Sequence, residues 1–261
     1  MQEKKVRSRI AVSDPLAPVR VSPVRVNGSA VSHAGIEILN DAGKWQCVNI
    51  LSGQYNLVPN AQADMVVRDI LEESGLSWTR VKEVWTGRYW ARLFRSDTRF
   101  DAAEVGEVLS LGLRVENSYD GSCQFRLVLM AYVLSCSNGL VIPKHFSSYR
   151  MRHLTSNEFD ISEAILEIQH GFEQVRDLIP SINRLSAIPL SVELLSRVAR
   201  DTDLPDRDWG HITRKLGDAH SAWDLMQAIT HQLSHHGKGR ATILTEERVG
   251  DYFHSLAASA A

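Results

Sequence analysis

The sequence predicts an α+β protein: one antiparallel sheet built on a long central hairpin, packed by helices, with a helical C-terminal half. Three observations carry this. Val108–Pro143 is the longest apolar run and holds the clearest turn chemistry, at Tyr119-Asp120-Gly121. Short alternating patterns broken by Gly, Asn and Ser fill much of residues 30–100. Beyond residue 160 the apolar spacing becomes helical and stays so. The expected organisation is an extended, flexible basic arm over residues 1–29, a β-rich core with one helix over 30–153, and a helical region over 154–261 packed on or extending that core.

The arm holds Lys4, Lys5, Arg7 and Arg9, then a tandem repeat, Pro18-Val19-Arg20-Val21-Ser22 and Pro23-Val24-Arg25-Val26-Asn27. Proline at this spacing forbids a helix and favours extended chain. Such a segment is a disordered tail, an edge strand, or an arm that embraces a neighbouring subunit or a nucleic acid. Next come short strands at Val31–His33, Gly35–Leu39, Val48–Leu51 and Tyr55–Val58, with turns at Asn40–Gly43 and Ser52-Gly53. A helix from about Gln62 to Glu73 follows, its stripe marked by Met65, Val66, Asp69 and Ile70 and its end by Gly75.

Residues 78–100 interleave cations and rings. Arg80, Lys82, Arg88, Arg92, Arg95 and Arg99 alternate with Trp78, Trp85, Tyr89, Trp90, Phe94 and Phe100. A hairpin turning near Thr86-Gly87 places Arg80, Lys82 and Arg92 on one face with Trp78, Trp90 and Phe94. Cations beside aromatic platforms suit single-stranded nucleic acid: the cations neutralise phosphates and the rings stack on bases. The plainer alternative makes the tryptophans core and the arginines a wet face.

In the central hairpin, Tyr119-Asp120-Gly121 fits a three-residue loop with glycine in the left-handed conformation. That register places Leu109, Leu111, Leu113 and Val115 opposite Ala131, Leu129, Leu127 and Phe125. On the other face it sets Arg114 against Arg126, an unfavourable pair that needs an offset. Either Glu116 supplies it in a surface ion cluster, or an anionic ligand lies across the sheet. A short strand, Leu140–Ile142, then leads into a loop carrying Lys144, Arg150 and Arg152.

The helical half opens at Asp160-Ile161-Ser162-Glu163, which resembles a capping box, and its first helix is expected to stop at Pro180. Further helices are expected over Ser191–Arg200, Asp206–Leu216, Ser221–His235, where Asp224 stands at the capping-box position, and Glu246–Leu256.

The formal net charge is −2, but it is unevenly spread. Residues 78–153 carry 11 Lys and Arg against 7 acids, and residues 154–261 carry 10 against 16. A basic sheet region and an acidic helical half are expected to meet different partners. The three cysteines, Cys47, Cys123 and Cys136, have no paired spacing, so neither a disulfide framework nor a cysteine zinc site is indicated. His231, His235 and His236 invite a metal reading, since i and i+4 histidines share a helix face, but with no HExxH glutamate, nearby cysteine or evident third ligand, no metal and no cofactor are expected. Nucleotide-binding glycine motifs and a serine nucleophile elbow are missing. No apolar run is long enough for a membrane span, and the first residues lack the apolar core of a signal peptide, so a cytoplasmic location is expected.

The motifs NSYDGS (Asn117–Ser122) and SCSNGLV (Ser135–Val141), the helix SAWDLMQAITHQLSHH (Ser221–His236) and YNLVPNAQADMVV (Tyr55–Val67) carry a resemblance. Residues 45–236 resemble the phage/plasmid-like proteins of one bacterial domain-of-unknown-function family, number nine hundred and thirty-two. That family implies a phage or plasmid context and brings no active site to transfer. The order helix, hairpin, central hairpin, helix is also similar to the core of single-strand annealing recombinases, an analogy at fold level.

Together these features point to a non-enzymatic, homo-oligomeric protein that binds or anneals single-stranded DNA in a phage or plasmid replication or recombination module. The expected contacts are Arg80, Lys82, Arg88, Trp90, Arg92, Arg95, Arg114, Arg126, Lys144, Arg150 and Arg152. A second reading is a mobile-element interaction or antirestriction module that binds a host protein through its acidic helical half. A third is a metal-dependent, nuclease-like enzyme using Asp97, Asp120 or the histidines.

Overall fold

A computed structural model describes residues 11–134, 138–140, 148–151, 161–236 and 240–260. The fold is α+β, with antiparallel strands in the first half and helices in the second. The strands make two sheets rather than one. Strands β1 (Val19–Val26), β2 (Ser29–Leu39) and β3 (Trp45–Ser52) form a small sheet in that order. Part of the expected arm is thus its edge strand, paired from Val19 opposite Ile38 to Val26 opposite Ser29. The expected strand at Tyr55–Val58 is not formed; the chain there runs directly into α1 (Asn60–Glu73).

The larger sheet holds β4 (Trp78–Trp85), β5 (Tyr89–Ser96), β6 (Phe100–Ala102), β7 (Glu107–Ser118), β8 (Phe125–Val133), β9 (Asn138–Leu140) and β10 (Ser148–Met151). Its main path runs β10-β8-β7-β5-β4. Residues 148–151, expected in a loop, therefore form an edge strand, with Arg150 opposite Arg126. Gly87, at φ +84°, opens the β4–β5 turn, the place a tight hairpin reserves for glycine. Val81 is an extra residue in β4: Arg80 pairs with Phe94, but Lys82 pairs with Leu93. This bulge turns Lys82 to the opposite face from Arg80 and Arg92, against the sequence expectation.

The central hairpin corrects the predicted register by two residues. Leu113 faces Leu129, Val115 faces Leu127, and Glu116, not Arg114, faces Arg126. An even shift preserves the faces, so the apolar pattern could not detect it. The cause is a longer loop. The Ser118 hydroxyl accepts from the Cys123 N–H at 3.0 Å and donates to the Cys123 carbonyl at 2.9 Å, taking over a rung of the ladder. Tyr119 turns inward and is fully buried. Gly121 keeps its expected left-handed conformation, at φ +71°.

One face of the large sheet presents Leu109, Leu111, Leu113, Phe125 and Leu129 to the main core. Helix α1 and helix α2 (Ile161–Ala187) cover it, and Gly171 lets α2 approach Leu111 and Leu129: a Cβ there would sit 2.8 Å from Leu129. Helix α2 runs through Pro180, where it was expected to stop. Proline removes one helical hydrogen bond, but Pro180 lies on the exposed side. The buried stripe Val175, Leu178, Ile182 and Leu185 continues past it. The expected capping box at Asp160 lies partly outside the described residues. Helices α3 (Val192–Thr202), α4 (Asp206–Lys215), α5 (Ala222–His236) and α6 (Arg240–Ser259) complete the fold. Ser221 and Asp224 cap α5 reciprocally, at 3.0 and 3.3 Å, as the sequence suggested. Helix α6 begins six residues earlier than predicted, and that extra turn reaches the second face of the sheet.

Candidate functional site

The second face of the β7–β8 hairpin carries an ion network. Glu116 is completely buried. Its Oε1 accepts from Arg114 Nε at 2.6 Å and from Arg126 Nη2 at 3.1 Å, while its Oε2 accepts from Arg126 Nε at 2.9 Å. Glu247, from the first part of α6, bonds both Arg114 and Arg126. Burial opposes ionisation of Glu116, but the two guanidiniums outweigh it and hold the carboxyl below its ordinary range. Glu246 is the opposite case. Burial dominates the attraction of Arg114 and Lys82 and raises its pKa. Lys82 donates to the Ser234 carbonyl at the end of α5 at 2.6 Å. This face is therefore where the α5–α6 end docks on the sheet.

Arg92 belongs to the other face, under α1. It bonds Asp64 of α1 and donates to Glu83 Oε1 from Nη2 at 2.6 Å and from Nε at 2.9 Å. Trp90 is fully buried and donates its indole N–H to the same Glu83 oxygen at 3.0 Å. Of the sequence-predicted contacts, Trp90, Arg92, Arg114 and Arg126 are thus engaged inside the protein, and Trp90 presents no stacking platform. Arg80 is exposed, with Glu83 at 3.9 Å, and Arg88 stands exposed at the β4–β5 turn. Arg95 is half-buried, 5.8 Å over the Tyr132 ring. Lys144 and Arg152 lie outside the described residues, and Arg150 is placed only by its register opposite Arg126.

Sequence reasoning found Arg114, Glu116 and Arg126 but missed Glu246 and Glu247, because nothing local connects an acidic pair on a late helix to a central strand. It also missed a polar junction. Tyr119 Oη accepts from the Asn60 N–H at 2.8 Å, satisfying an orphan donor at the start of α1. Asn117 Nδ2 donates to Asn60 Oδ1 at 2.7 Å and to the Val58 carbonyl at 2.8 Å, and Tyr55 donates to the Ser118 carbonyl at 2.8 Å. Two of the motifs behind the family resemblance, Tyr55–Val67 and Asn117–Ser122, therefore meet here. The available signal was that both are polar stretches flanking apolar runs.

For metal chemistry, Asp120 Oδ1 accepts from the Ser122 N–H as a turn residue, and His231 Nδ1 lies 3.3 Å from Lys215 Nζ. The His235 and His236 side chains lie outside the described residues. Among the described residues, no group of three or more His, Cys, Asp and Glu could hold a metal ion, and no helix is long and apolar enough to cross a membrane.

No curated protein and no solved structure matches the chain. A family model does match, over residues 48–251. That span includes α1, the whole large sheet, the polar junction and the Arg114–Glu116–Arg126–Glu247 network, and it leaves out the β1–β2 ribbon. The chain belongs to the family described as Domain of unknown function (DUF932).

Proposed function

We propose that this protein binds single-stranded nucleic acid without acting as an enzyme, along the margin of the large sheet formed by the β4–β5 hairpin and the turn into β6. The observation that supports this reading is the division of the cations. Arg92, Arg114 and Arg126 are neutralised by carboxylates, whereas Arg80, Arg88 and Arg99 stand in solvent, Arg88 and Arg99 without an acidic partner among the described residues. Trp78, Trp85 and Phe100 lie on the same hairpin and the strand that follows, each packed against the core but only half-buried, so part of each side chain is accessible beside these cations. The ion network then acts as scaffold, holding the margin flat against α1 and α6. The test is a salt titration of affinity for an oligothymidylate. Each phosphate neutralised contributes about 0.7 to the slope of log affinity against log salt. The Arg88→Ala, Arg99→Ala double variant is expected to lower that slope by roughly 1.4 while unfolding like the parent. Equal displacement of the oligonucleotide by heparin and by duplex DNA overturns the reading.

A protein-interaction module is the second reading, and the tip of the β1–β2 ribbon favours it. Val26 and Val31 are exposed there on two strands that have no third partner on the tip side of His33. On this reading Val26→Lys abolishes complex formation with a host protein and leaves oligonucleotide affinity unchanged.

A further inference from the structure

The small sheet has one face in the core and one toward solvent. Ile36, Ile38 and Val48 belong to the first. The paired rows Arg20–Glu37–Cys47 and Ser22–Gly35–Ile50 stand on the second, with Trp45 opposite Leu39 at its end. The solvent face of an antiparallel sheet is normally polar. This one is largely apolar: Ile50 is 52% and Trp45 39% exposed, and Cys47 is exposed on the same strand. Gly35 keeps the middle of the face low, where a Cβ would sit 2.8 Å from Ser22 Oγ and 3.8 Å from Val24. The charged side chains in these rows are Arg20 and Glu37, and they neutralise each other. Arg20 Nε donates to Glu37 Oε2 at 2.8 Å, while its guanidinium lies 4.1 Å over the Trp45 ring.

The edges of this sheet are poorly suited to another strand. The β1 register slips between Pro23 and Arg25, and Val48 is an extra residue in β3; prolines and bulges are devices that block edge pairing. A partner therefore lies on the face. The Arg20–Glu37 pair leaves no surplus cation for a phosphate and no surplus charge to select an acidic or basic protein. What matches an apolar surface with one Arg–Glu pair is the same surface turned about a two-fold axis. An isologous contact sets residue i on j and j on i, so Arg20 of each copy meets Glu37 of the other. The Arg20 side chain is 50% exposed, free to take that second carboxylate. Tryptophan and arginine are also the side chains that dominate such contacts. Strands β1 and β3 have eight residues each, which at about 3.3 Å per residue and about 4.8 Å between strands makes the face about 26 by 14 Å. That is less than the roughly 800 Å² per partner of a standard interface, so the pairing is reversible rather than obligate.

We propose that the outer face of the small sheet is a docking surface for a second copy of this chain. The two sheets stack face to face about a two-fold axis, Trp45 and Ile50 supply the apolar contact, and the Arg20–Glu37 pairs exchange partners across the axis. The surface is separate from the ribbon tip at Val26 and Val31, and from the proposed nucleic-acid margin, which belongs to the other sheet.

The experiment is sedimentation equilibrium of the full chain without nucleic acid, so its outcome does not depend on the nucleic-acid reading. A reversible monomer–dimer equilibrium is expected. Ile50→Lys places a charge in the contact and is expected to weaken the dimer about tenfold or more while keeping the parent's urea midpoint. Arg20→Glu and Glu37→Arg each leave two like charges on the face, so each alone is expected to stay monomeric. Mixed in equal amounts they oppose unlike charges and are expected to form a heterodimer, which neither a damaged fold nor a different partner would produce. Maleimide labelling of Cys47, followed in its own peptide, needs no variant and is expected to slow as the chain concentration rises. The proposal is overturned by a parent chain that stays monomeric at submillimolar concentration, by a dimer of equal strength in Ile50→Lys, by a mixture that does not associate, or by a Cys47 labelling rate independent of concentration.

Discussion

Glu116 and Glu246 lie on the same guanidinium network and respond to pH in opposite directions. Arg114 and Arg126 hold Glu116 below the ordinary carboxyl value of 4.5 against the opposing effect of burial. Its contribution to stability is therefore present above that value and lost as pH falls through the lowered folded pKa. Burial raises Glu246 above 4.5 despite Arg114 and Lys82. Its contribution is complete below 4.5 and is lost as pH rises through the raised folded value. Urea midpoints measured from pH 3 to 8 check both. Glu116→Gln is expected to be most deficient near neutrality and to approach the parent in acid. Glu246→Gln is expected to gain on the parent steadily as pH rises above 4.5. Glu116→Ala, which takes the central carboxylate from buried Arg114 and partly buried Arg126, is expected to cost about 3–5 kcal/mol at pH 7.

Among the elements, β1 shows how a repeat can mislead. Two prolines five residues apart read as an extended arm, and extended it is, but it is hydrogen-bonded along β2. Pro23 is tolerated because β1 is an edge, where a missing N–H faces away from the ladder. The preceding residues are also in place. Val12 and Ala17 are buried with Ile36 and Ile38, and the Trp85 indole donates to the Val12 carbonyl at 2.9 Å. Removing residues 1–29 uncovers Ile36 and Ile38, each worth roughly 1.5–3 kcal/mol when fully buried. The truncated chain is expected to lose at least about 3 kcal/mol in urea unfolding; an unchanged midpoint would show that the small sheet is supported from β3 alone. Helix α2 gives the complementary case. Pro180 is a local stop signal, and a buried stripe on both sides overrides it.

For the molecule as a whole, Tyr119 joins the parts. It packs in the small sheet's core, meets Trp85 edge-on with ring centres 6.1 Å apart, and accepts the Asn60 N–H. The small sheet, the large sheet and α1 therefore share one residue, and they are expected to unfold together. Tyr119→Phe keeps the ring and leaves the Asn60 N–H without its acceptor, at a cost of about 1–3 kcal/mol. Circular dichroism and tryptophan fluorescence should still follow a single transition; two separated transitions would show that the sheets are independent. What the sequence by itself determined was parity and period: the α+β class, both faces of the central hairpin, the left-handed Gly121, the α5 capping box and the family. These are readable because they depend on neighbours a few residues apart. It could not supply the register within a given parity, the bulge at Val81 or the second sheet. Nor could it tell which arginines are free, since that is decided by acids distant in the chain: Asp64 for Arg92, and Glu247 for Arg114 and Arg126. Trp90 shows the same limit: a tryptophan between cations has one sequence context whether it stacks on a base or fills a core, and only the packing of α1 against the sheet selected the core.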